Sequence, residues 1–599
     1  MSDSQQATIT HPLGCTQHND GYLFRVWAPH ADRVSLIGDF NDWNPESNPC
    51  ENVGDGVWEV FLAQGQPGQG YKYSIFNGDK RMDRIDPRTR HVSNSVGHSL
   101  IHDDRFDWGD DNFQTPPWNE LVIYELHIGT FNAPEEGTPG TFATAIERLP
   151  FLKELGINAI ELMPLAEFSG DFSWGYNPAH PFAVESAYGG PVGLKEFIRE
   201  AHRQGMAVIV DVVYNHFGPS DLDMWQFDGW SENEKGGIYF YNDWRSATPW
   251  GDTRPDYGRK EVREYIYDNA MMWLEEYRAD GLRYDMTLYI RASDFNQDNG
   301  IDDGFSLLQW INSDIKTKFP GKITIAEDLQ NNPLLTLDSE HGGGAFDAQW
   351  DAGFVHPIRD TIIAVSDDER SMSLVCDAIN HQYNVDAFER VIYTESHDEV
   401  ANGKQRVVSE IDSGERPNRY AVKRSTLGAC LMMTAPGIPM LFQGQEFLVD
   451  EWFRDTVPLD WFRADQYQSI TQMYRDLIKL RTNAEGKSAG LTGQHNHIFH
   501  CNESTKIVAF HRSKEGGIGD DVVVALKFSE MAAEDYRVGL PFPGRWSLAF
   551  NGDAEVYGEK LDGTEMTCVD TEEIPYDGYE QSVAINLGAY SCLIFVRAS

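Results

Sequence analysis

The chain has 599 residues, 41% of them hydrophobic, and a formal net charge of −45. A polyanion this strong repels phosphate backbones and anionic headgroups, so nucleic acid and membranes are excluded as expected partners, while a neutral substrate is compatible with it. No run approaches the ~20 apolar residues of a membrane span, and the polar start has no basic segment followed by an apolar one, so no secretory signal is predicted.

The seven cysteines are scattered along the chain, without a CxxC pair or a cluster with metal-ligand spacing. This pattern is typical of reduced thiols, and we expect a cytoplasmic protein without a metal site. The acidic charge is itself typical of a surface adapted to solubility or salt.

The first part of the chain has the pattern of a small β-sandwich. Alternating apolar residues predict strands at residues 22–29, 34–38 and 71–76, and Asn77-Gly78 after the last of these is a strong turn signal. A segment rich in Asp, Asn and Pro follows at residues 103–117 and is interpreted as a linker. We therefore predict an N-terminal β-sandwich domain over residues 1–112.

From residue 118 short apolar runs alternate with segments of helix length. Two helices are predicted at residues 142–155 and 194–204, the first from apolar residues at 142, 145, 146, 149, 152 and 155. Eight runs are candidates for buried strands: residues 121–127, 157–162, 207–213, 281–285, 322–327, 345–349, 391–396 and 438–443. The alternation favours a (β/α)8 barrel over residues 113–490. A doubly wound open sheet is the alternative, but the sequence has no GxGxxG phosphate loop.

Beyond about residue 490 the helical pattern stops, and short apolar runs at residues 506–511, 522–526 and 592–596 predict strands separated by glycine-rich turns. We predict a C-terminal all-β sandwich over residues 491–599. The predicted fold class is thus α/β, a (β/α)8 TIM barrel flanked by N-terminal and C-terminal β-sandwich domains.

Four predicted barrel strands end in or near acidic residues: Asp211, Asp285, Glu327 and Asp398. The active site of such a barrel lies at the carboxyl ends of its strands. A lone acid there is often only the N-cap of the next helix. Four acids that converge on one mouth indicate chemistry, because crowded carboxylates raise one another's pKa values and destabilise the fold.

Glycoside cleavage needs one carboxylate that attacks the anomeric carbon and another that carries a proton. Asp285 is the better candidate for the nucleophile, since Arg283, two residues earlier on the same strand face, keeps an acid ionised. Glu327 follows only apolar residues, so partial desolvation is expected to raise its pKa, as a general acid requires. A double displacement by this pair requires carboxyl groups about 5–5.5 Å apart.

Three further side chains are candidates for holding sugar hydroxyls: Asp398, His216 and His397. A lone histidine is more often structural, and this alternative stays open for His216 and His397.

Four segments resemble, in order and spacing, the four signature regions of the α-amylase superfamily, glycoside hydrolase family 13: residues 211–216, 281–285, 325–328 and 396–399. The resemblance implies that Asp285 is the nucleophile, Glu327 the acid/base and Asp398 the stabiliser of the transition state.

The same resemblance implies that Asp211 is a structural acid near the site and that Arg283, His216 and His397 bind the sugar that precedes the cleaved bond. Residues 174–176 resemble the loop whose tyrosine stacks on that sugar, which implies the same role for Tyr176. A loop aromatic packed on the core is the alternative.

Residues 25–29 and 38–44 resemble the starch-binding-like module called carbohydrate-binding module family 48, and the C-terminal sheet resembles the terminal sandwich usual in the family. Trp43 is a candidate glucan platform in this module, with a module that only packs on the barrel as the alternative. Trp174 and Trp250 are further candidate platforms.

The segment 217–257 holds six aromatic residues in a polar loop: Trp225, Trp230, Tyr239, Tyr241, Trp244 and Trp250. They are candidates for a groove that orients an acceptor glucan, and a hydrophobic core within the loop is the alternative.

Two groups of motifs point to different members of the family. Residues 124–130 and 396–400 resemble glycogen branching enzymes, whereas residues 211–219 and 326–328 are more similar to trehalohydrolases or debranching enzymes.

We favour 1,4-α-glucan branching, in which the glucan held on Asp285 passes to a 6-hydroxyl. An amylase-like or trehalohydrolase-like hydrolase is the close alternative. A non-catalytic glucan-binding protein is disfavoured by the three carboxylates. The expected partner is an α-1,4-glucan, and no redox or organic cofactor is implied.

One acidic loop has a spacing similar to that of a calcium-binding loop: Asp294, Asn296, Asp298, Asp302 and Asp303. Asn299 stands where such a loop needs glycine, and Phe305 stands where it needs glutamate. We therefore expect a solvated acidic loop.

Overall fold

The computed structural model describes residues 12–18, 20–295, 299–414, 417–558 and 566–598. A closed barrel stands at the centre of the chain, and antiparallel sheets precede and follow it. This arrangement confirms the predicted fold class. None of the helices in the described part of the chain combines the length and the apolar character that crossing a bilayer requires.

From residue 12 onward, the described N-terminal part contains eight strands: β1 Gly14–His18, β2 Gly21–Trp27, β3 Arg33–Gly38, β4 Glu51–Gly54, β5 Val57–Leu62, β6 Gly70–Asn77, β7 Lys80–Arg84 and β8 Ser99–Leu100. They form two sheets, one in the order β1-β2-β5-β4 and one in the order β3-β6-β7 with β8 paired to β6. The three strands predicted here are β2, β3 and β6. The predicted turn is also confirmed: Asn77 pairs with Lys80 across it, and Gly78 has a φ of +57°, which glycine adopts without strain.

Ten strands follow in the central part, apart from residues 296–298 and 415–416, which are not described: β9 Ile123–Leu126, β10 Ala159–Leu162, β11 Ala166–Phe168, β12 Pro178–Val184, β13 Ala207–Val212, β14 Gly281–Tyr284, β15 Ile323–Ala326, β16 Ala348–Trp350, β17 Arg390–Ile392 and β18 Ile438–Phe442. All except β11 and β12 close a parallel barrel in chain order, with β18 paired to β9. The eight predicted barrel strands are therefore confirmed. Their near-continuous apolar runs suit strands that are covered on both faces.

Thirteen α-helices are found in the described residues: α1 Ile128–Phe131, α2 Phe142–Ile146, α3 Leu149–Leu155, α4 Gly190–Gln204, α5 Lys260–Glu275, α6 Leu288–Arg291, α7 Asp302–Lys318, α8 Ala352–Ile363, α9 Met372–Asn380, α10 Val407–Ile411, α11 Arg419–Thr434, α12 Phe462–Gln466 and α13 Gln468–Arg481. The single helix predicted at residues 142–155 is wrong, because the segment forms α2 and α3. Pro150 lies in the first turn of α3, where its missing N–H would otherwise bond to Ile146, so it ends one helix and starts the next.

The described residues of the C-terminal part form eight strands: β19 His495–Asn502, β20 Ile507–Ser513, β21 Val522–Lys527, β22 Ala533–Leu540, β23 Arg545–Asn551, β24 Cys568–Asp570, β25 Gln581–Leu587 and β26 Cys592–Arg597. Six form a sheet in the order β19-β20-β21-β26-β23-β24, and β22 pairs with β25. An apolar cluster that includes Trp546 and Leu593 lies between the two sheets. The three predicted strands correspond to β20, β21 and β26.

The predicted linker at residues 103–117 contains no helix or strand, yet it is fastened to the barrel. His202 in α4 bonds through Nδ1 to Asp111 Oδ2 of the linker at 3.1 Å and through Nε2 to Asp280 Oδ2 at 2.9 Å. Thr115 of the linker donates to Asp280 Oδ1 at 3.1 Å. Burial opposes the charged form of His202, but the bonds to Asp280 and Asp111 outweigh it and raise the pKa of His202 above its usual value.

We expect His202→Gln to destabilise the protein in a pH-dependent way. A histidine whose pKa is raised in the folded state contributes fully below its unfolded pKa of about 6.5 and loses that contribution as the pH rises through the higher folded pKa. The variant should lose roughly 2 kcal/mol at about pH 6, for its charge-assisted bonds, and clearly less at about pH 9. Thermal unfolding of both proteins at the two pH values measures this. An equal loss at both values would contradict it.

Candidate active site

The four predicted acids lie at the carboxyl end of the barrel. Asp211 belongs to β13, Asp285 and Glu327 directly follow β14 and β15, and Asp398 lies beyond β17. Parallel strands of a closed barrel end at one mouth, so the fold brings these residues to the same face. Asp211, Asp285 and Glu327 are at most 7% exposed, whereas the Asp398 side chain is 42% exposed.

One arginine contacts three of these acids. The fully buried Arg283 donates from Nη1 to Asp211 Oδ2 at 2.7 Å and to Asp285 Oδ1 at 3.1 Å. Its Nη2 forms an ion pair with Glu327 Oε2 at 2.9 Å. The guanidinium also lies over the ring of Trp350, 4.3 Å from its centroid. A planar cation of this kind can serve several carboxylates at once, which an ammonium group does less well.

The Asp285 carboxylate is held at both oxygens. Oδ1 accepts from Arg283, and Oδ2 accepts from Asn215 Nδ2 at 2.6 Å. Asn215 Nδ2 also donates to the Asp285 carbonyl at 2.9 Å. The two donors stabilise negative charge on this carboxylate and fix its direction.

Glu327 has the properties of an acid that keeps its proton near neutral pH. Burial raises the pKa of Glu327 to about 8; Arg283 opposes this shift, and Asp285 and Asp398 add to it. The backbone N–H of Met286 donates to Oε2 at 2.9 Å, which orients the carboxyl group. The neighbouring Asp285 and Glu327 are thus suited to different tasks.

Asp211 fastens two other residues of the pocket. Its Oδ2 accepts from Arg283 and, at 2.7 Å, from the Tyr176 hydroxyl. Burial raises the pKa of Asp211 to about 7, with Arg283 opposing the shift and Asp285 adding to it. These contacts fix the positions of Tyr176 and Arg283.

His397 lies in a charged pair that closes another side of the pocket. Its Nδ1 bonds to Glu125 Oε1 at 2.5 Å, and its backbone N–H donates to Glu125 Oε2 at 3.1 Å. Its ring stacks on Tyr176, with centroids 5.0 Å apart, and its Nε2 is 3.6 Å from Asp398 Oδ2. Burial works against the charge, but Asp398 and Glu125 outweigh it and raise the pKa of His397 to about 9.

His216 belongs to the site as well, but both ring nitrogens have protein partners. Nε2 bonds to the Tyr176 carbonyl at 2.8 Å, and Nδ1 contacts the Asn215 side-chain oxygen. Burial lowers the pKa of His216 to about 4. Both partners are carbonyl oxygens, and a neutral ring can donate to only one of them at a time; the ring lies between Asn215 and Tyr176 and positions both.

The three candidate glucan platforms lie in different places. Trp250 stacks on His216 with centroids 4.6 Å apart and is 39% exposed. Trp174 packs edge-on against His397 at 5.8 Å. Trp43 lies in the N-terminal part, where its Nε1 donates to Asp39 at 3.1 Å and its ring contacts His98. Trp250 and Trp174 therefore lie at the pocket, whereas Trp43 contacts residues of the N-terminal part.

Most aromatic residues of the segment 217–257 are packed. Four of them are buried or packed against the main core: Trp225, Trp230, Tyr239 and Tyr241. Trp230 stacks on His30 with centroids 4.5 Å apart, and Tyr239 meets Trp27 edge-on at 5.6 Å, so this loop joins the barrel to the N-terminal sheets. Trp244 and Trp250 are exposed to 59% and 39%. The alternative of a hydrophobic core within the loop therefore holds for four of the six residues.

Four residues of the pocket were not singled out from the sequence: Glu125, Asn215, Trp350 and Glu161. Glu161 in β10 pairs with Glu125 in β9, and among the described residues neither Glu161 carboxyl oxygen has a hydrogen-bond partner. Burial raises the pKa of Glu161 well above its usual value. The sequence did contain a signal for Glu125 and Glu161, because each lies inside an apolar strand candidate. An acid on a buried strand is costly, so its presence there indicates a functional or structural role.

Two acidic clusters lie outside this pocket. His102, Asp104 and Glu276 bring possible ligand atoms within 4.8 Å of one another, but Glu276 is paired with Arg90 at 2.8 Å and Lys195 at 3.5 Å. These cations neutralise the cluster. In the loop compared above with a calcium site, Asn296 and Asp298 lie outside the described residues, and Asp302 and Asp303 form the first turn of α7.

Three family profiles match the chain. They are "Carbohydrate-binding module 48 (Isoamylase N-terminal domain)" over residues 12–88, "Alpha amylase, catalytic domain" over residues 101–255 and 219–514, and "Alpha amylase, C-terminal all-beta domain" over residues 497–598. The chain therefore belongs to the α-amylase family, glycoside hydrolase family 13.

Known relatives match over nearly the whole chain. It is 30% identical to the 1,4-alpha-glucan branching enzyme GlgB of Salinibacter ruber, over 99% of this chain and 98% of the relative. It is also 30% identical to GlgB of Corynebacterium jeikeium, over 100% of this chain and 85% of the relative. Pullulanase type I from Bacillus subtilis, solved with maltose, has the same fold, with a TM-score of 0.77, 20% identity, and coverage of 99% of this chain and 86% of that one.

We expect Glu125→Gln to slow the enzyme through His397. The amide keeps the shape of the side chain but removes one of the two carboxylates that raise the pKa of His397. We expect that pKa to fall by about one unit, which is ~1.4 kcal/mol of lost interaction with the charged ring, and kcat to fall because the ring is held less firmly beside Asp398. Histidine NMR titration and glucan turnover measure the two effects. Glu125→Asp retains the charge and serves as the control. An unchanged His397 titration in Glu125→Gln would contradict the assignment.

Proposed function

We propose that this chain is a 1,4-α-glucan branching enzyme that works by double displacement. Asp285 is the nucleophile, Glu327 the general acid and base, and Asp398 the group that stabilises the transition state. The observation that carries the proposal is that Arg283 contacts Asp285 at 3.1 Å and Glu327 at 2.9 Å, so an oriented carboxylate and an acid of raised pKa flank one space.

In the first step, an Asp285 oxygen attacks the anomeric carbon of a glucan and the glycosidic bond breaks. Glu327 gives its proton to the leaving oxygen, which departs as a free 4-hydroxyl. The pKa of Glu327, raised by burial to about 8, keeps that proton available near neutral pH. Arg283 and Asn215 hold Asp285 in the direction of attack.

In the second step, the Glu327 carboxylate removes a proton from the 6-hydroxyl of an acceptor chain, and that oxygen displaces Asp285. Two inversions return the original α configuration. Asp398 is 42% exposed and thus open to a sugar in the pocket. The charged ring of His397 holds it from one side, with Nε2 3.6 Å from Asp398 Oδ2.

Transfer of the glucan to an acceptor chain competes with hydrolysis by water, which is present at ~55 M. The enzyme must therefore orient the acceptor hydroxyl for attack. The exposed rings of Trp250 and Trp244 are suited to this task, because flat aromatic faces pack well against sugar rings. The full-length similarity to proteins named 1,4-alpha-glucan branching enzyme supports transfer over hydrolysis.

A hydrolase is the second candidate, because the residue after Glu327 is Asp328, where branching enzymes usually carry a second glutamate. Asp328 is fully buried, and its oxygens accept from Arg291 at 2.8 and 2.7 Å and from Thr287 at 3.0 Å. These contacts give Asp328 a structural task, and the carboxylates of the pocket serve either reaction.

We expect the protein to convert amylose into a branched product. Iodine colour should fall with little rise in reducing ends, because each cleaved bond is replaced by a new one. A debranching enzyme should then release short linear chains. Asp285→Asn has nearly the same size but cannot attack, so it should lower turnover at least about 10³-fold while the unfolding temperature stays close to that of the wild type.

Two other results would each overturn part of the proposal. Reducing ends that rise in step with the loss of colour, without new α-1,6 linkages, identify a hydrolase. Near wild-type turnover by Asp285→Asn would show that the nucleophile is misassigned.

A further inference from the structure

Two cysteine side chains meet where the barrel contacts the C-terminal sheet. Cys376 lies in α9 of the barrel and Cys501 in β19, and the Cys501 thiol is close enough to raise the pKa of Cys376. Cys501 is exposed and Cys376 is half-buried. The two residues are far apart in the sequence, so only the packing of the C-terminal sheet on the barrel brings them together.

A bulge in β19 turns Cys501 toward the barrel. Before the bulge, Asn496 and Ile498 face the barrel: Asn496 bonds to α9, and Ile498 packs on the barrel core. The pairing with β20 shifts between Ile498 and His500. After the shift, His500 bonds to Asp577 and Tyr536 of the C-terminal part, and its neighbour Cys501 takes the barrel side. A β-bulge characteristically re-aims a side chain in this way.

Hydrogen bonds on both sides of the pair fix this contact. At one end of α9, Asn496 Nδ2 donates to Asn380 Oδ1 at 2.8 Å. At the other end, the backbone N–H of Ser373 donates to Glu503 Oε1 at 2.9 Å. Cys376 lies between Ser373 and Asn380, as Cys501 lies between Asn496 and Glu503. The two thiols are therefore held facing each other.

We propose that Cys376 and Cys501 form a reversible disulfide that ties α9 of the barrel to the C-terminal sheet when a low-molecular-weight disulfide is present as oxidant. The hydrogen bonds on both sides of the pair already hold α9 against β19, so side-chain rotations can bring the two thiols to bonding distance. The site is a modification site on the outside of the barrel, and it is independent of the reaction proposed above.

The exchange begins at the exposed cysteine. The Cys501 thiolate attacks one sulfur of the small disulfide, forms a mixed disulfide and releases one small thiolate. Cys376 then loses its proton to solvent and attacks the Cys501 sulfur, which releases the second small thiolate. The two cysteines lose two electrons and two protons, and the small disulfide is reduced to two thiols.

The order of attack follows from the surroundings of the thiols. Burial raises the pKa of Cys376, and the Cys501 thiol adds to this shift. Cys376 is thus the poorer first nucleophile. Once Cys501 is in the mixed disulfide it carries no charge, so that part of the shift disappears and Cys376 can resolve it.

The chain contains an internal comparison. Cys430 in α11 is likewise close enough to Cys592 in β26 to raise the pKa of Cys592, but both are buried. A small disulfide cannot reach a buried thiol without local opening, so this second pair should stay reduced under conditions that oxidise the first.

The test uses the full-length protein and oxidised glutathione. After exposure the protein is denatured, its free thiols are alkylated, and its peptides are analysed by mass spectrometry without reduction. We expect one cross-linked peptide pair, Cys376 with Cys501, lighter by two hydrogen atoms than the separate peptides, and five alkylated cysteines out of seven. A reductant should restore all seven, and the oxidised protein should unfold at a higher temperature than the reduced one.

Matched variants decide between the outcomes. Cys376→Ser and Cys501→Ser should each abolish the cross-link and the rise in unfolding temperature, whereas Cys15→Ser, in β1, should change neither. A stable glutathione adduct on Cys501 beside a free Cys376 would overturn the proposal. So would a disulfide that joins two chains through Cys501, seen as a dimer on a non-reducing gel.

Discussion

Three buried carboxylates at the barrel mouth share one positive charge. Asp211, Asp285 and Glu327 all lie within 3.1 Å of the Arg283 guanidinium, which is itself fully buried. Buried carboxylates repel one another, and an unpaired buried charge destabilises a protein by about 3–5 kcal/mol. One cation cannot neutralise three anions, so the least costly arrangement leaves a proton on the acid that is most desolvated. In this pocket that requirement coincides with the need for a proton donor at Glu327.

The barrel makes this arrangement possible because it orders the strands. Arg283 on β14 is the register partner of Asp211 on β13, and the neighbouring strand β15 leads to Glu327. A second charged pair, Glu125 with His397, links β9 to the segment after β17 and holds Asp398 at the rim. Sheets at both ends of the chain and the packed loop at residues 217–257 cover the barrel. They leave Trp244 and Trp250 exposed.

The sequence predicted the eight barrel strands and their acids, because buried parallel strands and strand-end carboxylates are local patterns. It also predicted that these acids converge on one mouth, but not the individual side-chain contacts between separate strands. Glu125, Glu161 and Asn215 belong to the pocket through such contacts. The Cys376–Cys501 pair depends on a bulge in β19 that the residue pattern does not predict. Pro150, by contrast, is a local signal in the sequence for the break between α2 and α3. The prediction of a single helix there followed the regular spacing of the apolar residues instead.

The central claim is that Glu327 holds a proton that the reaction uses, beside an Asp285 carboxylate that does not need one. The most direct measurement is kcat/KM against pH on two glucan substrates: an unactivated one for the wild type, and one that carries a good leaving group for both the wild type and Glu327→Gln. Because burial raises the pKa of Glu327 to about 8, the acid form is lost as the pH rises through that value. On the unactivated glucan the wild type should decline with a midpoint near that pH, and Glu327→Gln should retain activity, without that decline, on the substrate with the good leaving group. An alkaline decline of the same midpoint in both proteins would contradict the account.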